Sequence, residues 1–318
     1  MKHLLMSLVS TCLVALAAAQ APVPVSRPQR PIAGIEHVVI ISIDGLRPDR
    51  LLLADAPVLH GLIKGGTYSM WARTTAVAVT LPSHTSMLTG VTPRKHKIEW
   101  NRDLPFKEPV YPLVPTIFEM ATKAGLTAVM IAGKSKLDPL NKPGTLAHAF
   151  FPPGEKGDNA LVVTETLKAI ATRVPDLMFL HFPDVDTVGH RDGWGSREQL
   201  STIAETDRQI GEVLAGLERA GARRKTTIIV TADHGGAGRS HGHVGPDDGR
   251  SRFIPWIANG PGVRAGFDLT QIEKLQVDTE DTCATACWVL GLALPAYFDG
   301  KPIREAFVMT TLTVEASK

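Results

Sequence analysis

The sequence is short of cysteine, with three in 318 residues, at positions 12, 283 and 287. So few cysteines exclude a fold that depends on a disulfide framework. Cys283 and Cys287 fall one turn apart on a predicted helix, a spacing that fits disulfide geometry poorly. We therefore expect both side chains to be buried as small apolar groups, with a bridge between them as the alternative.

The sequence also lacks an excess of charge of either sign. Lysine and arginine number 34 against 32 aspartates and glutamates, which gives a formal net charge of +2. No run of basic residues is present, and a nucleic-acid polymer is bound mainly through a basic surface. We therefore expect no nucleic-acid polymer among the partners of this protein.

Beyond the N-terminus, no segment is apolar enough to span a bilayer. The first residues, MKHLLMSLVSTCLVALAAAQA, combine a basic start at Lys2, an apolar run from Leu4 to Ala17 and small residues, as in a secretory signal peptide. The apolar run is short for a membrane span, although a retained anchor is the alternative. Cleavage after Ala19 would place the mature protein outside the cell or in the periplasm, with no stable membrane span.

The rest of the chain reads as one domain. Residues 1–19 are predicted as signal peptide, 20–34 as a proline-rich linker, 35–312 as the domain and 313–318 as a C-terminal tail. Within the domain, helical periods alternate with the apolar runs HVVIISIDG, LTAVMIAG, LMFLHFPD, TTIIVTADHG and RFIPWIANGPG. Continuous apolar strands indicate a sheet buried on both faces and usually parallel. The alternation predicts an α/β fold with a mostly parallel central sheet.

Carboxylate and imidazole groups follow three of these strands. They are Asp44 after the first strand, Asp186 and His190 after LMFLHFPD, and Asp233 and His234 after TTIIVTADHG, with His241 and His243 in the same loop. Each group alone is common in a turn or a surface loop. Together they fall at one edge of a parallel sheet, where ligands bind. Mixed Asp and His ligands suit zinc, manganese or iron(II), and so many ligands fit two metal ions that share a site.

The segment TTAVAVTLPSHTSMLTG contains a candidate nucleophile. Thr80 precedes Leu81-Pro82, and proline is favourable near the start of a helix. We expect Thr80 to be the N-cap of a helix that runs toward Gly90, with its hydroxyl at the positive end of the helix dipole. A simple capping threonine is the alternative. Next to two divalent cations, the same hydroxyl would ionise and attack phosphorus.

Six segments in this order resemble the alkaline phosphatase superfamily, and most closely its type I phosphodiesterase/nucleotide pyrophosphatase branch. They are IISIDGLRPD, TLPSHTSMLTGVTPRKH, PDVDTVGH, TADHGG, SHG and VLGLALPAYFDGKPI, and they extend from His37 to about Pro302. The resemblance implies a three-layer α/β sandwich of the alkaline phosphatase type. That branch usually inserts a long segment between the Asp-His pair and the last histidine, whereas His234 and His241 are close here, so we expect a small or absent cap.

The resemblance also implies the role of each residue. One zinc ion would be held by Asp44, Thr80, Asp233 and His234, and the other by Asp186, His190 and His241, with His243 as a substitute for His241. Manganese and iron(II) are alternatives to zinc. Thr80 would be the nucleophile that becomes transiently phosphorylated, and Asn101 would contact a phosphoryl oxygen.

Two further motifs bear on the ester that is cleaved. TLPSH has threonine and His84 at the cysteine and arginine positions of the sulfatase motif CxPSR, which argues against a sulfatase. In AGKSKL, Lys134 and Lys136 match a basic pair that phosphonoacetate hydrolases and some threonine-type phosphatases keep on the substrate anion; a solvated loop is the alternative.

We therefore expect a metal-dependent hydrolase of small-molecule phosphoric esters, of the phosphodiesterase/nucleotide pyrophosphatase type. A phosphomonoesterase or a phosphonate hydrolase of the same superfamily is the alternative. A sulfatase-like enzyme or an inactive metal-binding protein ranks below both.

Overall fold

The fold is built on one mixed sheet. The computed structural model describes residues 27–102, 110–154, 157–238 and 248–308. In this part of the chain the sheet has eight strands in the order β4-β3-β5-β1-β6-β7-β2-β8. The strands are β1 (His37–Ile43), β2 (Thr67–Arg73), β3 (Ala128–Ala132), β4 (His148–Phe150), β5 (Leu177–Phe182), β6 (Thr226–Thr231), β7 (Phe253–Asn259) and β8 (Phe267–Asp268).

Most neighbouring strands run parallel, as predicted. β1 lies between β5 and β6 and is parallel to both, and β3 and β4 continue the parallel set. β7 runs antiparallel to β6 and to β2. The run RFIPWIANGPG therefore forms a strand, but its direction is opposite to that of the central strands.

β1 shows why these strands are continuously apolar. Every residue from Val38 to Ile43 is buried. Since successive side chains of a strand point to opposite faces, layers must cover both faces of the sheet.

Two groups of helices form those layers. α1, α2, α6 and α7 pack against α8, whereas α3, α4, α5 and α10 pack among themselves. The architecture is thus the predicted three-layer α/β sandwich. The helices are α1 (Pro48–Leu53), α2 (Pro57–Lys64), α3 (Thr80–Thr89), α4 (Pro93–His96), α5 (Ile117–Lys123), α6 (Asn159–Thr172), α7 (Asp184–Asp192), α8 (Arg197–Arg219), α9 (Gly249–Arg252) and α10 (Glu280–Val289), with short 3-10 turns at Ser135–Leu140, Arg223–Lys225, Leu269–Gln271 and Arg304–Ala306.

The segments outside the sandwich bear on the predicted domain bounds. Before β1, Ile32 is buried in the core and Arg30 pairs with Asp176 at 3.3 Å, so the end of the predicted linker packs against the domain. The predicted signal peptide (1–19) and tail (313–318) lie outside the described residues. β6 ends at Thr231 and β7 begins at Phe253, and this connection is too short for a separate cap domain.

Two further predictions concern the helices. Cys283 and Cys287 on α10 are buried and free, as expected. Among the helices in the described ranges, none combines the length and the apolar character that crossing a membrane requires.

Glu280, at the start of α10, makes stability depend on pH. Burial raises the pKa of its carboxyl from the ordinary 4.5 to about 7. The folded state then holds the proton more tightly than the unfolded chain does. The contribution of Glu280 to the free energy of unfolding is therefore fully present below pH 4.5 and is lost as pH rises through 7. Glu280→Gln cannot ionise, so we expect its free energy of unfolding to gain about 2–3 kcal/mol over wild type between pH 5 and pH 8. Urea melts at both pH values measure this, with the exposed Glu273→Gln as control; parallel curves for Glu280→Gln and wild type would contradict it.

Candidate active site

The candidate site lies where three neighbouring strands end. β5, β1 and β6 are adjacent in the sheet. Asp44 directly follows β1, and Asp233 is the second residue after β6. After β5 the chain enters α7, where Asp186 and His190 are four residues apart and so share one helix face. The sheet order therefore brings together the three groups of side chains that the sequence predicted at one edge.

The backbone after Asp44 requires a glycine, Gly45. Its φ is +74°, and a Cβ at this position would lie 3.0 Å from the Cα of Asp186. The Gly45 N–H donates to Oδ1 of Asp233 at 3.1 Å. The Asp-Gly pair thus packs the ends of three strands more closely than any larger residue would permit.

Four of the predicted ligands converge on one point. The Nε2 atom of His234 lies 3.4 Å from Oδ1 of Asp44 and 3.2 Å from Oδ2 of Asp233. The same Nε2 atom lies 3.4 Å from Oγ1 of Thr80. Ligands held tetrahedrally at zinc-like bond lengths are about 3.3–3.4 Å apart. The four side chains therefore have the spacing of the first predicted metal site.

The tautomer of His234 suits a metal ligand. Its Nδ1 atom lies 2.9 Å from the carbonyl oxygen of Gly235. A carbonyl can only accept, so Nδ1 carries the proton, and in the neutral ring Nε2 presents a lone pair. A backbone carbonyl on the distal nitrogen is the usual way in which a protein orients a histidine ligand.

The carboxylates add an independent test of whether a cation fits. Three buried oxygens, Oδ1 of Asp44, Oδ1 of Asp186 and Oδ2 of Asp233, accept no hydrogen bond from the described part of the chain. A buried acceptor without a donor is costly. Asp44, Asp186 and His234 also offer ligand atoms that lie within 4.8 Å of one another. The donor set and its orphaned oxygens therefore fit a divalent cation.

The second predicted metal site is described in part. Oδ1 of Asp186 and Nε2 of His190 are 3.2 Å apart, which is again the spacing of two ligands of one ion. His241 and its substitute His243 lie outside the described residues. Two of the three side chains predicted for this site therefore lie next to each other.

Lys134 lies among these ligands. Its Nζ atom is 2.7 Å from Oδ2 of Asp44 and 2.5 Å from Oδ2 of Asp186, and the side chain is buried. Burial would lower the pKa of Lys134, but the two carboxylate charges raise it above its ordinary value. Lys134 is thus a permanent positive charge between the two predicted metal sites.

The three acidic side chains respond differently to this environment. Burial alone would raise the pKa of Asp44, but the Lys134 charge and a hydrogen bond from His181 hold it well below its usual range. Asp186 is also held low, by Lys134 and His190 against burial and the Asp44 charge. Burial and the Asp44 charge raise the pKa of Asp233 well above its ordinary value. A raised pKa favours the protonated form of Asp233, so a bound cation would compete with a proton at this carboxyl.

Two buried histidines that support the site were not predicted as functional. His181, in β5, accepts from the Gly133 N–H at Nδ1 and donates from Nε2 to Oδ2 of Asp44 at 2.9 Å. His84, in α3, donates from Nδ1 to the Thr80 carbonyl and accepts from Ser42 at Nε2, both at 2.8 Å. Burial lowers the pKa of both rings, so they act as neutral, fixed hydrogen-bonding groups. The signal for His181 was a polar residue inside the apolar run LMFLHFPD, which must find a partner. His84 lies between Ser83 and Thr85, where the sequence carries no such signal.

The predicted N-cap of the nucleophile helix is wrong by one residue. The N-cap of α3 is Val79, and Thr80 is the first helical residue. Oδ1 of Asn101 accepts the Leu81 N–H at 3.0 Å and does the capping that we expected of Thr80. This arrangement leaves the Thr80 hydroxyl to face His234 and orients the Asn101 amide beside it. The helix ends at Gly90, as predicted.

Lys136 lies two residues after Lys134. It is half-buried within the 3-10 turn Ser135–Leu140, which follows β3. Lys134 precedes this turn and contacts the carboxylates of Asp44 and Asp186.

Comparison with known proteins decides the family. Residues 38–246 match the family model described as type I phosphodiesterase / nucleotide pyrophosphatase, which is more than half of the chain. The chain belongs to the type I phosphodiesterase / nucleotide pyrophosphatase family. Every described residue of the candidate site between Asp44 and His234 lies inside the matched range.

Curated members of this family are distant and longer. Ectonucleotide pyrophosphatase/phosphodiesterase family member 1 of Homo sapiens is 25% identical over 236 residues, or 66% of this chain and 25% of the human protein. An uncharacterized pyrophosphatase/phosphodiesterase of Schizosaccharomyces pombe is 27% identical over 220 residues, or 62% of this chain and 44% of that protein. The chain spans less than half the length of these relatives.

Solved structures share the fold. Murine ectonucleotide pyrophosphatase / phosphodiesterase 5, an inactive variant in complex with AMP, aligns with a TM-score of 0.69 at 17% identity over 86% of this chain and all of that chain. BT1596, a 2-O GAG sulfatase, aligns with a TM-score of 0.68 at 16% identity over 88% of this chain and 74% of that chain. The predicted alkaline-phosphatase-like fold is therefore confirmed.

Proposed function

We propose that this protein is a two-metal phosphoric ester hydrolase of the phosphodiesterase/nucleotide pyrophosphatase type that acts through a phospho-threonine on Thr80. The observation that carries the proposal is the position of His234 Nε2, which faces Asp44, Asp233 and Thr80 at 3.2–3.4 Å. A hydroxyl that lies close to two carboxylates and an imidazole lone pair supports the role of nucleophile over that of helix cap.

The proposed metal ligands follow from the two clusters. Asp44, Thr80, Asp233 and His234 would hold one ion, and Asp186 and His190 with His241 would hold the other. Zinc fits the Asp and His donors, with manganese or iron(II) as alternatives. When bound, the two cations would supply the positive charge that lowers the pKa of the Thr80 hydroxyl and offsets the charge of the phosphoryl group.

Thr80 and Asn101 carry out the chemical steps on the phosphoryl group. Thr80 Oγ1, whose proton passes to solvent, attacks phosphorus in line with the ester oxygen. The bond from phosphorus to that oxygen breaks, and the oxygen takes a proton from solvent and leaves as part of the alcohol or the second phosphate. The Asn101 amide donates its Nδ2 hydrogens to a phosphoryl oxygen, since its Oδ1 is engaged by Leu81. Water then cleaves the phospho-threonine and regenerates the Thr80 hydroxyl.

The proposed substrates are small phosphodiesters or pyrophosphates, with nucleotides as the leading class. The family assignment supports a diester, and the AMP bound to the murine relative supports a nucleotide. With the predicted signal peptide, we place this activity in the periplasm or outside the cell, in a single domain over residues 35–312.

Phosphomonoester or phosphonate hydrolysis is the second candidate, because of the lysine pair. A phosphate monoester carries about one more negative charge than a diester, so an ammonium group on the phosphoryl oxygens would favour the monoester. The ammonium group of Lys134 supplies such a charge within the candidate site, where it lies between Asp44 and Asp186.

Substitution of the lysines separates the two candidates. Lys136→Ala should reduce kcat/KM for an aryl phosphate monoester by about 1.5–3 kcal/mol, with a much smaller effect on the matched diester. Lys134→Ala should impair both substrates, because it leaves two buried carboxylates without their cation. The exposed Lys142→Ala is the control.

The measurement is kcat/KM for both esters with the purified mature protein and added zinc. Wild type should prefer the diester. A preference for the monoester by several orders of magnitude would make the second candidate correct. Equal and small losses in Lys136→Ala would show that this lysine belongs to a solvated turn.

A further inference from the structure

Trp194 lies in the turn between α7 and α8, beside both halves of the candidate site. The residue is only 8% exposed. Its indole stands edge-on to the imidazoles of His190 and His234, with ring centroids 5.2 and 6.3 Å apart. His190 belongs to the second proposed metal site and His234 to the first. One side chain therefore lies next to a proposed ligand of each ion.

Three glycines make room for this indole. They are Gly45, Gly189 and Gly236, and each is within two residues of a proposed metal ligand. A Cβ added at these positions would lie 3.0, 2.9 and 2.2 Å, respectively, from the nearest indole carbon. Non-bonded carbon atoms prefer separations of about 3.5–4.0 Å. The backbones of all three ligand-carrying segments therefore pack directly against the same ring system.

The turn that carries Trp194 is tied to its surroundings. The Trp194 N–H donates to the carbonyl oxygen of Gly238 at 3.2 Å, and the Gly195 N–H donates to Oε1 of Gln199 at 2.6 Å. Nε2 of the same buried glutamine donates to the carbonyl oxygen of Val185 at 3.1 Å, in the first turn of α7. Because the Gln199 amide links the turn to α7, the indole is held in place relative to the ligands on that helix.

An indole in this position acts through its size and rigidity. Two ions that share a site lie about 3.5–4 Å apart, so a small shift of any segment that carries a ligand changes the coordination of both. A fixed ring between those segments limits such shifts. Groups that orient metal ligands in this way commonly contribute about 10–100-fold to metal affinity.

We propose that Trp194 is a positioning residue, whose indole holds the segments of Asp44, His190 and His234 at the separation that two neighbouring metal ions require. The inference rests on the proposed function for the presence of two ions. Its test is metal binding, which is measured independently of ester cleavage.

Replacement of the indole should weaken metal binding in a folded protein. Trp194→Leu should lower the affinity for zinc by at least about tenfold, and Trp194→Phe should keep part of it, since a phenyl ring fills part of the space. Trp288→Leu is the matched control. Trp288 is also 8% exposed and edge-on to a ring, but that ring is Phe307 rather than a proposed metal ligand. Competition with a chromophoric zinc chelator measures affinity, and circular dichroism checks the fold.

A glycine substitution tests the same contact from the other side. The Cβ of Gly236→Ala meets the indole, so the backbone near His234 must shift. Zinc affinity should fall by about tenfold in the wild-type background, but by less than about twofold when Trp194→Leu is also present. Gly216→Ala is the control, because its Cβ would lie 2.5 Å from Cδ2 of Leu167, away from the proposed ligands. It should lower the melting temperature and leave zinc affinity unchanged.

The outcomes separate this inference from the proposed function. Zinc affinity equal to that of wild type in folded Trp194→Leu would overturn the positioning role. Unchanged affinity in Gly236→Ala, which retains the indole, would overturn it as well. A wild type that binds two ions and cleaves no ester, with the expected losses in the variants, would support the positioning role and refute the function. Ester cleavage by wild type together with unchanged zinc binding in Trp194→Leu would do the reverse.

Discussion

Thr80→Ala should lose at least about three orders of magnitude in kcat, because it removes the atom that attacks phosphorus. The hydroxyl lies 3.4 Å from Nε2 of His234, and it has no capping role that alanine would disturb, since Asn101 caps α3 instead. Thr80→Ser should retain part of the activity, because serine restores the hydroxyl. Steady-state rates on the preferred ester measure both variants.

Another threonine of the same helix provides the control. Thr89 is buried near the end of α3, and its hydroxyl donates to the Thr85 carbonyl. Thr89→Ala therefore removes a buried hydroxyl from α3 without touching the proposed nucleophile, and its kcat should stay close to that of wild type. Full activity of Thr80→Ala would contradict the proposed role.

Removal of metal should abolish activity while the protein stays folded. Purified protein should contain about two divalent ions per chain, and Asp186→Ala combined with His190→Ala should contain about one. The second site should be affected most because those two side chains are 3.2 Å apart and are its proposed ligands, although Asp186 also lies within 4.8 Å of ligand atoms of Asp44 and His234. Elemental analysis with parallel assays measures both quantities.

Lys134 gives the physical reason why the metal-free fold should survive. Its ammonium bridges Asp44 and Asp186, so these buried carboxylates keep a compensating charge without the ions. Burial and the Asp44 charge raise the pKa of Asp233, which favours the neutral form of this carboxyl when no ion is bound. Far-UV circular dichroism should therefore change little on chelation, and zinc should restore the rate. Undiminished activity in exhaustively chelated protein would contradict the two-metal proposal.

The residues at the carboxyl edge of the sheet were predictable from the sequence because buried parallel strands appear there as continuous apolar runs. A polar residue that ends such a run must lie at the sheet edge, and Asp44 and Asp233 do so. The direction of β7 was not predictable in this way. Its apolar run is like the others, and only its pairing with β6 and β2 shows that it is antiparallel.

The contacts of long or buried polar side chains were less predictable. Lys134 reaches carboxylates that follow two other strands, and its length permits either this contact or one with substrate. The position of His181 within an apolar strand predicts that its side chain is buried, but it does not predict the hydrogen bond that this side chain donates to Asp44. The N-cap of α3 depended on Asn101, which approaches Leu81 from twenty residues away in sequence. Such contacts follow from tertiary packing, so local motifs do not encode them.

Acid-quenched turnover tests the central proposal most directly. Protein mixed with excess ester, quenched in acid within the first turnovers and digested, should give a phosphorylated peptide that contains Thr80, identified by mass spectrometry. The same peptide from Thr80→Ala should carry no phosphate, and the modification should disappear from wild type once substrate is exhausted. Sustained turnover by wild type with no phosphate on the Thr80 peptide at any quench time would contradict covalent catalysis by this threonine.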